Sequence, residues 1–168
     1  MKLPALKGRS IFALYAECGI GICFVILIFG LLGWFRTQTD VLALQILNAV
    51  GNVFYFLAII LAAVSLLTLR SKGQPTSRIE NTTVLIEKGI FRIVRHPLYL
   101  ALAFWSIGLI LLYQSIPSAI LGVIAFFCFW MASKKEDEFN IKKFGSSYRE
   151  YVKKVPMWNV FKGLRRKS

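Results

Sequence analysis

Two short blocks hold most of the residues able to do chemistry in a chain that is otherwise apolar. The first is Gly89-x-Phe91-Arg92-x-Val94-Arg95-His96-Pro97-x-Tyr99, where two arginines, the only histidine and a tyrosine crowd the start of an apolar run. Pro97 suits the first turn of a helix, whose free N–H groups and partial positive charge favour an anionic ligand group. The second block is Glu136-Asp137-Glu138, three carboxylates just past a later apolar run and inside a strongly basic tail. Each has an ordinary reading as well. Arg92, Arg95 and Tyr99 suit interface anchors, and the carboxylates suit a solvated helix face that pairs with Lys142 and Lys143.

Geometry raises the functional reading. If the two runs form a hairpin, the carboxylates return to the membrane face that carries Arg95 and His96, so cation and anion flank one cavity. That arrangement suits a zwitterion, with arginine or helix N–H groups meeting a carboxylate and a glutamate meeting an ammonium. The amino-acid end of S-adenosylmethionine has that form.

The elements that must position these blocks are membrane helices. Of 168 residues 57% are hydrophobic, with a mean hydropathy of +0.61, well above the apolar share of a soluble domain. Four apolar runs stand out against the roughly 20 residues that cross a bilayer: Ile11 to Phe35, Val41 to Leu69, Pro97 to Tyr113, and Ile116 to Ala132. Only Gln114 and Ser115 separate the last two, which predicts a tight helical hairpin, with Ser115 as N-cap and Pro117 in the first turn. The expected fold is therefore all-α: a polytopic membrane protein of four transmembrane helices, the last two a tight hairpin, plus a cytoplasmic C-terminal helix over Lys134 to Lys154, broken at Phe144-Gly145, that either continues the fourth span into the cytosol or lies along the interface. It reads as one membrane domain over 1–168, with a two-helix part at 1–70, the core at 71–156 and a basic tail at 157–168. The loop from Arg70 to His96 reads as irregular, with a short extended piece at Thr83 to Glu87.

Charge sets the orientation. Twenty of the 21 Lys and Arg residues fall on one side of the four runs, Arg36 being the exception, and the positive-inside rule makes that side cytoplasmic. The chain is expected to be an integral protein of a bacterial inner (plasma) membrane with both termini inside. A net charge of +13 raises nucleic acid as a partner, but the cations flank apolar runs and the aromatics lie within them, so none is expected. Cys18, Cys23 and Cys128 lie inside apolar runs in no metal-binding or disulfide pattern, which predicts no metal site. The first run is too long for a signal-peptide core and is expected to stay in the mature protein.

Other polar residues lie deeper. Gln45, Asn48, Asn52 and Tyr55 mark one face of the second run, fit for interhelical hydrogen bonds or for lining an acceptor cavity, and Asn48 and Asn52 are candidate substrate contacts. Glu17 is the only acid within a run and should be partnered or protonated. Gly19, Gly21 and Gly30 are expected to permit close helix contact.

The two blocks also carry a resemblance. Gly89-x-Phe91-x-x-Val94-Arg95-His96-Pro97-x-Tyr99, followed by Glu136-Asp137, Phe144-Gly145, Tyr148, Tyr151 and Val155-Pro156, resembles the C-terminal signature of the isoprenylcysteine carboxyl methyltransferase and phospholipid methyltransferase superfamily, over about Arg70 to Pro156. The sequence departs from the pattern in its Glu136-Asp137 doublet, in Asn140 where an apolar residue is customary, and in Ala101 where glycine is frequent. The resemblance implies S-adenosylmethionine as cofactor, in a membrane-embedded pocket closed from the cytosolic side, and an acceptor that arrives from the bilayer. It implies Leu85, Ile86 and Gly89 at the adenosine end, with His96 and Tyr99 against the cofactor and Glu136 on its amino group. A carboxylate acceptor would need no base, and Arg95 or Arg92 could orient it. An amine would need His96 or Glu136 to take a proton. The acceptor stays open among a prenylated cysteine-like carboxylate, a phospholipid amine and a small thiol. An NADPH-dependent reductase of sterol-reductase type and a non-enzymatic membrane assembly factor are the alternatives. Oligomeric state is not legible.

Overall fold

The computed structural model describes residues 10–34, 42–73 and 84–165. Arg36, the N-terminal arm, positions 74–83 of the central loop and the last three residues of the basic tail lie outside the described residues. Among the described residues six helices follow in order: α1 (Ile11–Leu31), α2 (Leu42–Lys72), α3 (Pro97–Tyr113), α4 (Ile116–Phe144), α5 (Ser146–Lys154) and α6 (Val160–Leu164), with a 3-10 turn at Gly89–Arg92 before α3. No strand occurs among the described residues, and positions 84–88 are irregular.

Three helices, α1, α2 and α4, are long and apolar enough to cross a membrane, and α3 is a shorter apolar helix of 17 residues. The fourth apolar run does not stop where its hydropathy does. α4 continues through the charged residues to Phe144, because nothing before Gly145 breaks it. Gly145 takes φ +62, a backbone shape that glycine adopts without steric cost, and α5 starts just beyond.

Packing pairs α2 with α3, α3 with α4, and α4 with α1. Lipid gives helices little hydrophobic reason to associate, so close backbone approach matters more. Gly51 and Gly108 supply it between α2 and α3, where a Cβ on either would come within 3.2 Å of the other's carbonyl oxygen. Gly19 lies under the Phe129 ring and Gly30 under the Tyr113 ring, whereas Gly21 has nothing within 4 Å. Gly21 thus departs from the expectation: it faces away from the partner helices. Buried serines keep their donors satisfied inside their own helices, Ser106 on the Ala103 carbonyl at 2.8 Å and Ser133 on that of Phe129 at 3.0 Å, as a medium without water requires.

At one end of the bundle the α3–α4 turn is tied to its neighbours. Gln114 adopts a left-handed conformation (φ 47, ψ 38) and ends α3, and its Nε2 donates to the Leu44 carbonyl of α2 at 2.8 Å. Ser115 and Ser118 form a reciprocal cap on α4. The α3 start, the α4 exit and the α2 C-terminus meet at the opposite end, where the chemistry-bearing blocks lie.

Candidate functional site

The site is built where α3 begins. Pro97 at the first helical position fixes the backbone, and His96, the N-cap residue, makes no side-chain cap bond. Its ring is thereby left for other partners. The chain beyond α5 returns across this point: Arg95 N donates to the Pro156 carbonyl at 3.0 Å and His96 N to that of Met157 at 3.5 Å. Residues Val155 to Trp158 form a strap over the start of α3.

Asp137 of α4 is the hub. One carboxylate oxygen accepts from Arg95 Nη2 at 2.8 Å, and the other accepts from His96 Nε2 at 2.7 Å and from the Tyr148 hydroxyl at 2.5 Å. An ionised carboxylate only accepts, so His96 presents a hydrogen on Nε2, and its other ring nitrogen is Nδ1. That nitrogen lies 3.9 Å from a Glu136 carboxylate oxygen. The Arg95 side chain is 9% exposed, and its Nη1 donates to the Val152 and Val155 carbonyls. Its Nε is the one buried side-chain polar atom without a hydrogen-bond partner among the described residues. A buried charge is tolerated when its lone pairs and protons are met, and Asp137 has three donors for two oxygens.

α5 supplies the far wall. Tyr148 and Tyr151 are buried with Val155 against Leu85, Ile141, Phe144 and Val152, and the Tyr151 hydroxyl donates to the Phe91 carbonyl at 2.6 Å. Burial, with the Asp137 charge second, raises the Tyr148 phenol far above its ordinary value, and burial likewise raises that of Tyr151. Both therefore stay protonated and act as donors.

Between these walls lies a cleft of about 50 Å³, lined on one side by Leu85, Ile86 and Phe91 and on the other by Arg95, His96, Glu136 and Tyr148. That is room for a few waters. Asn140, one turn beyond Glu136, lies 3.5 Å from it.

Among the residues singled out from sequence, the structure brings Leu85, Ile86, Arg95, His96 and Glu136 to this cleft. Tyr99 lies behind it, buried, with its ring 5.8 Å from that of His96. Arg92 is exposed, and Gly89, also exposed, turns the chain at φ +63. Asn48 and Asn52 lie elsewhere: Asn48 donates to the Leu112 carbonyl at 3.3 Å and Asn52 to that of Asn48 at 2.9 Å. Asn48 and cleft-lining Leu69 sit on one helix, 21 residues apart, about 30 Å at 1.5 Å per residue. Asn48 therefore ties α2 to α3 at the other end of the bundle, and Asn52 bonds within α2.

Sequence reasoning gave Asp137, Tyr148 and Tyr151 no role of their own. A signal for Asp137 existed in α4: Ala125, Phe129 and Ser133 recur every fourth residue, all fully buried, and the next step of that stripe is Asp137. Glu138 points outward and pairs with Lys135 at 2.9 Å. Among the described residues no cluster of His, Cys, Asp or Glu is arranged to hold a metal ion.

Comparison with known proteins identifies relatives of the chain. The family model of the phospholipid methyltransferases matches residues 46–147. A protein-S-isoprenylcysteine O-methyltransferase of Xenopus laevis is 31% identical over 114 residues, which is 66% of this chain and 39% of that protein. A protein of the same name from Schizosaccharomyces pombe is 32% identical over 74 residues, 44% of this chain and 31% of that protein. The chain thus spans less than half the length of these curated relatives. No solved structure matches.

Proposed function

Because this chain belongs to the phospholipid methyltransferase family, we propose that it transfers a methyl group from S-adenosylmethionine to a lipophilic or amphipathic acceptor at the cytoplasmic membrane face. The observation that carries this reading is the junction of Arg95, His96 and Asp137, which brings the Glu136 carboxylate to one wall of an apolar cleft. The residues present fit the cofactor in kind. Leu85, Ile86, Phe91 and Phe144 offer a wall for a nucleoside, and Glu136 offers an anion for its ammonium. The unpartnered Arg95 Nε is a donor for its carboxylate. The cleft must widen to admit a nucleoside, and its wall at Leu85 and Ile86 belongs to a segment outside any helix.

When bound, the cofactor supplies an electrophilic methyl on a sulfonium, whose charge is dispersed during in-line displacement, so a dry cleft need not oppose the reaction. The protein's share is positioning. Asp137 holds Nε2–H of His96, which leaves Nδ1 as base for a phospholipid amine or a small thiol. The carboxylate of a prenylated cysteine-like compound needs no base, and exposed Arg92, next in sequence to cleft-lining Phe91, is the cation proposed to orient it, since the Arg95 head is held by Asp137. In this reading α3 completes a four-span bundle with both termini cytoplasmic, and the acceptor enters from the bilayer.

Calorimetry of the purified protein in detergent tests the proposal: S-adenosylhomocysteine should bind at micromolar concentration. Glu136→Ala should weaken binding about tenfold or more, the loss of one charged hydrogen bond, and Glu138→Ala by less than about twofold. Neither heat nor a thermal shift with wild-type protein would refute the cofactor assignment. Equal effects of the two substitutions would refute the role of Glu136.

A further inference from the structure

The last helix turns apolar side chains outward. Phe161 is 78% exposed and Leu164 61% exposed, with Lys162 and Arg165, both exposed, beside them. Its other side is fixed. Gly163 sits so close on the Ile93 backbone that a Cβ would clash with the carbonyl there, and Asn159 caps the helix by accepting from Lys162 N at 2.9 Å.

Trp158 sets the level at which α6 lies. Its ring packs edge-on against Phe126 at 5.5 Å, and its Nε1 donates to Ser133 at 3.1 Å. Phe126 is a partly exposed residue of the apolar part of α4, about 9 Å along the helix from Ala132, where charge takes over. The Trp158 ring therefore reaches apolar depth from the strap, and the chain enters α6 two residues later. A short segment with aromatic and aliphatic side chains beside cations is the composition of an interfacial anchor. Six cations follow Glu150 in the sequence and no acid does, so the surface that complements this segment is negative.

We infer that α6 is seated in the membrane interface, Phe161 and Leu164 in the acyl boundary and Lys162 and Arg165 against anionic phospholipid headgroups. The seat also anchors the strap. Pro156 and Met157, just before α6, accept the backbone N–H groups of Arg95 and His96, so lipid that holds α6 steadies the strap on the cleft.

The test uses the full chain with Phe161→Trp, one copy per nanodisc, in phosphatidylcholine alone or with about one-third phosphatidylglycerol, all brominated near the headgroup. Fluorescence quenching beyond that of wild-type discs is expected in both, and more of it in the anionic discs. Adding K162E and R165E should remove the increment due to phosphatidylglycerol. Amide exchange across Val155 to Trp158 should slow about fivefold in anionic discs, the effect of one basic side chain near a charged surface. Quenching equal to wild type in both discs would overturn the seat, as would excess quenching that appears only with two copies per disc, which would assign the face to a second copy. An anionic increment that survives both charge reversals would overturn the headgroup contact.

Discussion

Asp137 joins three elements, because its donors come from the α3 start and from α5 while it stands on α4. Truncating it strands the Arg95 guanidinium and the His96 N–H in a buried setting, and breaking a buried ion pair from one side costs about 3–5 kcal/mol. Tyr148→Phe removes one donor and leaves the carboxylate two, a loss of about 1–2 kcal/mol. Thermal unfolding in detergent should therefore rank Asp137→Ala well below Tyr148→Phe, with Glu138→Ala near wild type. A Tyr148→Phe protein as unstable as Asp137→Ala would show that the phenol, not the ion pair, holds the junction. The acidic triplet was legible in sequence as a feature, but its division of labour was not. Neighbouring helix residues point about 100° apart, and which of the three meets Arg95 depends on how α4 rotates against α3. The buried stripe at Ala125, Phe129 and Ser133 carried that rotation, and its last step is a charged residue that hydropathy alone assigns to solvent.

Among the helices, the α2–α3 contact depends on backbone approach, whereas Gly21 of α1 faces open space. A methyl on Gly108 would press on the Gly51 carbonyl and on Tyr55 N, both at 3.2 Å, where backbone must move. Gly108→Ala is expected to destabilise by about 1–3 kcal/mol, the usual cost of overpacking. Gly21→Ala meets open space and should raise stability by a few tenths to about 1 kcal/mol through better helix propensity. Unfolding monitored by denaturant checks both, and a neutral Gly108→Ala would mean that the two helices are not in close contact. Small residues in apolar runs signalled close packing without saying which would be used. Gly19 and Gly30 lie under aromatic rings and Gly21 under nothing, a difference set by where Phe129 and Tyr113 arrive from other helices. Helix limits followed a similar rule. Residues that specify their own local shape, such as Pro97, the Ser115–Ser118 cap and Gly145, marked ends that could be read directly, whereas the change in hydropathy after Ala132 marked the edge of the apolar stretch and not of the helix.

At the scale of the molecule, the proposed crossing of α3, a helix of 17 residues, has to be reconciled with its longer partners. α3 spans about 26 Å against about 30 Å of hydrocarbon, yet its two ends are tied level with theirs. Gln114 bonds to Leu44 near the α2 start, Asn48 of α2 to Leu112, and the Tyr113 hydroxyl to the Leu27 carbonyl near the α1 end at 3.4 Å. At the other end Arg95 and His96 meet Asp137, beyond the apolar part of α4. A helix anchored at both levels needs only a small deformation of the bilayer, which costs fractions of a kcal/mol per Å. The α3–α4 turn should therefore face the side opposite the basic blocks. A single cysteine at exposed Ile116 and another at exposed Lys154, each in a chain with Cys18, Cys23 and Cys128 replaced by serine, test this in intact cells. An impermeant maleimide should label Ile116→Cys from outside and Lys154→Cys only after the membrane is opened. Labelling of both from the same side would mean that α4 does not cross either, making α3 and α4 a re-entrant pair. The Arg95–Asp137 junction would survive that result, since it needs only the α3 start and the α4 exit on one face, but an acceptor path between α3 and lipid would then open from one leaflet alone.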